Sequence, residues 1–195
     1  MNKQITLEQY RSVDLTIMAV LLAVSQVVIQ SAATLWFPDQ LYIVSPVAAV
    51  VTLVMMRWGI WAAIHAALGG IVLTAASGGS MEQGLIYTAG NLLALLVTPL
   101  LKLIGKEKIR QSSFLSLMMA LAVQALMLLG RALVAFALGH ETPVCLRLIS
   151  TDFLSVLFTL VLIGIARKAD GLFEDQKHYL LRVQRERENE RRDQF

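Results

Sequence analysis

Four polar side chains sit inside otherwise apolar stretches of the sequence: Gln30, Asn91, Arg131 and Asp152. Hydrocarbon offers such groups no partners, so each marks a place where packing or function offsets its cost. At a helical rise of ~1.5 Å per residue, Arg131 lies roughly 10 Å and Asp152 roughly 12 Å inside the ends of their stretches, with Gln30 and Asn91 at similar depth. The four are expected to converge on one layer. Arg131 and Asp152 at matched depth suit a packing ion pair. They equally suit the floor of a polar cavity, in which Arg131 or Arg147 offers its guanidinium fork to a ligand carboxylate or phosphate. An ion pair that rearranges when ligand arrives satisfies both readings. Binding through Arg131 predicts that Arg131→Ala abolishes affinity and leaves the fold intact.

Neighbouring positions extend the layer. Tyr87 and Asn91 are spaced i, i+4 and share a helix face; Gln124 and Arg131 share another; Asp152, Ser155 and Thr159 line a third. These faces are expected to turn inward, while isolated Ser and Thr bond back to their own backbone. His65 has no carboxylate or second histidine at ligand spacing and reads as a hydrogen-bonded packing residue. The single Cys145 excludes an internal disulfide and reads as a small apolar helix residue. The sequence contains no metal-ligand spacing, no nucleophile–base constellation and no phosphate-cradling loop. An enzyme is not expected, nor a metal or cofactor in this chain, and ATP for active transport would be used by partner subunits.

The elements that hold these groups follow from hydropathy. Of 195 residues, 56% are hydrophobic, above the ~45–50% of soluble domains, and the mean hydropathy is +0.64. The pI near 9.2 does not indicate nucleic-acid binding, because the basic residues fall between apolar blocks and in the C-terminal tail. The first 14 residues are polar and precede a block too long for a cleavable signal, so that block is expected to be a permanent anchor. With about 20 apolar residues needed per span, six helices are predicted, near 15–36, 41–56, 59–76, 85–104, 114–138 and 144–166. The first stops at Phe37-Pro38-Asp39, and a tight turn at Met56-Arg57-Trp58-Gly59 separates the second from the third. If Lys3 and Arg11 are inside, then Arg57, the run from Lys102 to Arg110 and the tail from Arg167 are inside too. The opposite loops, at Pro38 to Gln40, Ser77 to Gly84 and Gly139 to Pro143, carry no Lys or Arg. An all-α polytopic protein with both termini cytoplasmic is predicted, in the lipid bilayer of a prokaryotic plasma membrane. Residues 1–170 form the transmembrane unit. Residues 171–195 form a charged cytoplasmic tail, in which Leu172, Phe173, Tyr179, Leu180 and Val183 recur at the spacing of an amphipathic helix.

Small residues are the remaining signal. Ala19 and Ala23 form one small-xxx-small pair, and Ala62, Ala66 and Gly70 form a longer stripe. With six predicted spans, this size and the Ala19-Val20-Leu21-Leu22-Ala23 motif, the chain resembles the substrate-binding S-component of an energy-coupling factor (ECF) transporter. The resemblance implies that it captures a vitamin or related micronutrient from outside and hands it inward by toppling in the membrane, together with a transmembrane coupling subunit and two ATPase subunits of an ABC-type importer. It further implies that Ala19 and Ala23 meet the coupling subunit, and that the pocket lies in the outer half, where Gln30, Tyr87, Asn91, Arg131, Arg147 and Asp152 are the substrate-binding candidates. The alternative is a structural or scaffolding protein of the cell-envelope machinery, recruiting partners through its tail.

Overall fold

The computed structural model describes residues 6–36, 42–169 and 171–193, and every regular element among them is helical. The expected helix stop at Phe37-Pro38-Asp39, the loop through Gln40, the first residue of the second stretch at Leu41, and the boundary residue Asp170 lie outside the described residues, as does Lys3.

Helix starts follow from capping chemistry. Thr6 and Gln9 form a reciprocal box, the Gln9 N–H donating to Thr6 Oγ1 at 3.2 Å and the Thr6 N–H to Gln9 Oε1 at 3.1 Å. Helix α1 (Leu7–Trp36) begins there. Ser80 and Ser112 accept from the N–H groups of Gln83 and Leu115, opening α4 (Met81–Asn91) and α7 (Ser113–Ala137). Between them lie α2 (Val47–Trp58), α3 (Ala62–Ala76), α5 (Thr98–Ile104) and α6 (Lys106–Gln111); α8 (Thr142–Ser150), α9 (Phe153–Ala166) and α10 (Gln176–Asp193) follow.

Five stretches have the length and apolarity of membrane spans: Leu7–Trp36, Val47–Ala76, Met81–Ile104, Ser113–Ala137 and Thr142–Ala166. The second is not straight. Gly59 takes φ +64°, a conformation natural to glycine, and the chain reverses there, so that the Val47 side chain abuts Gly69. Every residue of α2 is buried, which makes this hairpin arm the centre of the bundle. Large apolar side chains of α1 (Val20, Val24, Val28), α7 (Leu129, Leu133, Phe136) and α9 (Leu157, Val161, Ile165) remain exposed, as lipid-facing surface does.

Three expected helices are interrupted. The second begins at Val47 rather than at residue 41, because Ser45 precedes Pro46 and the pre-proline position disfavours helix. The fourth tightens into a 3-10 segment at Leu92–Val97; Pro99 has no N–H to give Leu95 and crowds that carbonyl. The sixth, expected to be continuous, breaks at Thr151–Asp152 between α8 and α9. Ala62, Ala66 and Gly70 serve packing within the bundle: all are buried, and a Cβ on Gly70 would lie 2.5 Å from the Thr88 nitrogen.

The Lys- and Arg-bearing turns gather at one end. Arg57 donates to the carbonyls of Gly171 and Leu172 at 2.9 and 3.3 Å, Arg167 to that of Arg110 at 3.0 Å, and Lys106 pairs with Asp175 at 2.6 Å. Phe173 enters the main apolar core, so the segment after Gly171 packs on the bundle. The two described loops without Lys or Arg meet at the other end, where His140 Nε2 lies 2.9 Å from Glu82 Oε1.

Candidate functional site

Toward the end whose described loops carry no Lys or Arg, α4, α7 and the α8–α9 break bring three of the four intramembrane polar residues together. Arg131 Nη1 donates to Asp152 Oδ2, and Arg131 Nε donates to Asn91 Oδ1 at 2.8 Å. Side-chain exposures of 2% and 1% make this a dry ion pair. Such a pair survives only where further hydrogen bonds satisfy it. Gln124 Nε2 adds one to Asp152 Oδ2 at 3.3 Å, Thr159 donates to Gln124 Oε1 at 3.4 Å, and Asn91 Nδ2 donates to the Ala66 carbonyl at 3.1 Å. The Tyr87 ring stacks over the Arg131 guanidinium at 4.6 Å. Asp152 Oδ1 is buried without a hydrogen-bond partner among the described residues, leaving the network one donor short.

Two glycines permit this closeness. A Cβ on Gly130 would lie 2.1 Å from the Gly90 carbonyl oxygen, and one on Gly90 would lie 2.5 Å from the Arg131 nitrogen. The backbones of α4 and α7 therefore touch where Asn91 and Arg131 must meet.

Above the network lies a cavity of about 360 Å³, at the small end of the range for small-molecule sites. Tyr87 belongs to both, since it covers Arg131 and lines the cavity. Gln30 of α1 forms one wall with Leu73 of α3 and Ser77 just past its C-terminus; Val144, Arg147 and Leu148 of α8 form another. Tyr42 and Ile43 close a third side from an extended segment that docks into the helix break. There the Ile43 N–H donates to the Thr151 carbonyl at 2.9 Å, and Ser155 Oγ donates to the Ile43 carbonyl at 2.9 Å. Ser45 Oγ donates to the buried Gln26 at 2.6 Å.

The six candidates thus divide. Asn91, Arg131 and Asp152 form the sealed network, Gln30 and Arg147 face the cavity, and Tyr87 joins the two. Gln30 does not join the ion-pair layer with which its depth aligned it. Arg131 directs Nε to Asn91 and Nη1 to Asp152, whereas Arg147 is exposed and has no ion-pair partner among the described residues. The expectation of backbone-bonded hydroxyls holds for Thr52 and Thr74 but fails for Ser155 and Thr159, which reach Ile43 and Gln124; helix breaks and facing amides supply better acceptors there. His65 Nε2 lies 3.0 Å from the Leu15 carbonyl, so its proton sits on Nε2. Ala19 and Ala23 are half-buried beside the packed stripe Leu15, Met18, Leu22 and Gln26.

A second buried ion pair was not legible as one. Asp14 receives Arg57 Nη2 at 2.5 Å, Arg57 Nε at 2.9 Å and Trp58 Nε1 at 2.5 Å. The available signal was a carboxylate at the edge of the first apolar stretch, level with the Arg57 turn. Nearby is a cleft of about 860 Å³ between α5, α6 and the tail. Its Lys106, Arg110 and Arg182 are neutralised by Asp175, Glu107 and Glu174, while Lys102 has no ion-pair partner among the described residues; the cleft lies at the opposite end of the bundle from the polar network.

No family model matches the chain, and no curated protein or solved structure shows significant similarity to it.

Proposed function

We propose that this chain is the substrate-binding subunit of an ECF-type importer in a prokaryotic plasma membrane, capturing a vitamin-like micronutrient from outside. On this reading six segments cross the bilayer, with the halves of Val47–Ala76 crossing separately and both termini in the cytoplasm. Delivery inward depends on a transmembrane coupling subunit and two ATPases that use the ATP, and the chain itself catalyses no reaction. One observation carries the reading: a ligand-sized cavity opens at the end whose described loops carry no Lys or Arg, above a charge pair that is already neutralised. Such a floor gives the cavity polar definition without unpaired buried charge.

The half-buried Ala19 and Ala23 leave a low ridge on α1 next to exposed Val20 and Val24, suited to close approach by a partner helix. Replacing both alanines with leucine should abolish co-purification with the coupling subunit and leave ligand affinity unchanged. Normal complex formation by that variant would remove α1 as the interface.

The direct test is calorimetry on the purified chain with ligand extracted from cells grown in rich medium. One tight site without ATPase activity supports an importer subunit. A scaffolding protein would bind no small molecule and would lose its partners when residues 171–195 are deleted.

A further inference from the structure

We propose that the cavity selects a small monoanion, held by a bidentate contact from Arg147 to its carboxylate or phosphate, with an apolar or aromatic body against Tyr87. The inference rests on the importer reading and specifies its substrate class.

Charge bookkeeping within the cavity leads to it. Arg147 is the one charged side chain among the lining residues. The other cation nearby, Arg131, lies beneath Tyr87 and is cancelled by Asp152. A ligand in this space therefore meets a single uncompensated positive charge, presented as a planar fork that matches an oxyanion. A neutral ligand would forgo the charge-assisted contact that this fork offers, and a dianion would bring one charge more than the lining answers. The rest of the lining suits a body rather than a second charge. Leu73 and Leu148 supply apolar wall, Tyr87 supplies a ring face, and the Gln30 amide offers both a donor and an acceptor.

The test uses the full-length protein in detergent with matched acid and amide probes: benzoate and benzamide, nicotinate and nicotinamide, indole-3-acetate and indole-3-acetamide. Thermal unfolding is followed as each is titrated. At least one acid should raise the midpoint in a saturable way, and its amide should not. Arg147→Gln should weaken that acid roughly 10–100-fold, the loss of one charge-assisted contact, and Arg147→Lys should recover part of it. An amide equal to its acid, an Arg147→Gln variant that binds the acid unchanged, or no response to any acid would each overturn the proposal. Native mass spectrometry of protein from rich medium separates the two levels. A bound adduct with no acid response refutes the anion assignment alone, whereas absence of both adduct and response refutes the importer reading as well.

Discussion

Each end of the bundle holds a buried arginine–aspartate pair, and the two are built differently. Arg131–Asp152 is dry, and its remaining bonds go to side chains on facing helices. Arg57–Asp14 is slightly wetter, with side-chain exposures of 10% and 14%, and its spare donor reaches backbone carbonyls of the tail. The first pair floors a cavity; the second fastens chain segments. The same two residue types thus yield a cavity floor where helices break around them, and a clasp where a terminal segment crosses them. Identity and burial alone do not distinguish these outcomes; the partners do.

The largest effect expected from breaking this comparison is at Arg131. Arg131→Ala strands Asp152 in a site closed to bulk solvent, and removing one member of such a pair costs about 3–5 kcal/mol. The variant should unfold early in detergent, contrary to the expectation of an intact fold. Arg131→Met combined with Asp152→Leu removes both charges and should recover most of that loss. A double variant as unstable as the single one would show that the pair does more than neutralise itself.

Next is Gly130→Ala, whose methyl meets the Gly90 carbonyl. Overpacking there should cost about 1–3 kcal/mol and separate Asn91 from Arg131, read as a lower unfolding midpoint together with weaker ligand binding. At the other end, Arg57→Ala leaves Asp14 with Trp58 as a donor and with some access to water. A loss of about 1–3 kcal/mol is expected, accompanied by faster amide exchange through residues 171–176. Unchanged exchange there would dissolve the clasp.

The smallest effect is at Asp175. Burial works to raise its pKa, but the hydrogen bond and charge of Lys106, helped by the His178 N–H, prevail and hold the carboxyl below its ordinary range. A depressed carboxyl stabilises the docked tail above about pH 4 and loses that contribution as pH falls through the lowered value. Exchange in the tail should therefore quicken only in acid, and Asp175→Asn should abolish the pH dependence.

The sequence revealed the layer because hydrocarbon makes polar residues conspicuous. Depth alone aligned Asn91, Arg131 and Asp152, and helical spacing put Tyr87 on the face of Asn91. It could not separate Arg131 from Arg147, since which arginine stays unpaired depends on the path of α8 ahead of the break at Thr151–Asp152. Nor was the docked segment at Ile43 legible, because Tyr42, Ile43 and Val44 read as the start of an apolar span and only Pro46 hinted otherwise. The Asp14–Arg57 clasp was hidden for a related reason: charges at span ends ordinarily face water, and only tertiary packing buried this pair.

The most direct test of the cavity as the binding site is native mass spectrometry of Ser77→Trp beside the unaltered chain, both expressed in rich medium. Ser77 is exposed, lines the cavity and its hydroxyl bonds only to the Thr74 carbonyl among the described residues, so an indole there should fill the space without disturbing the core. One small-molecule adduct is expected on the unaltered chain and none on a Ser77→Trp variant of equal thermal stability. An adduct that persists in the blocked variant would place the ligand elsewhere and rule out this cavity as its site.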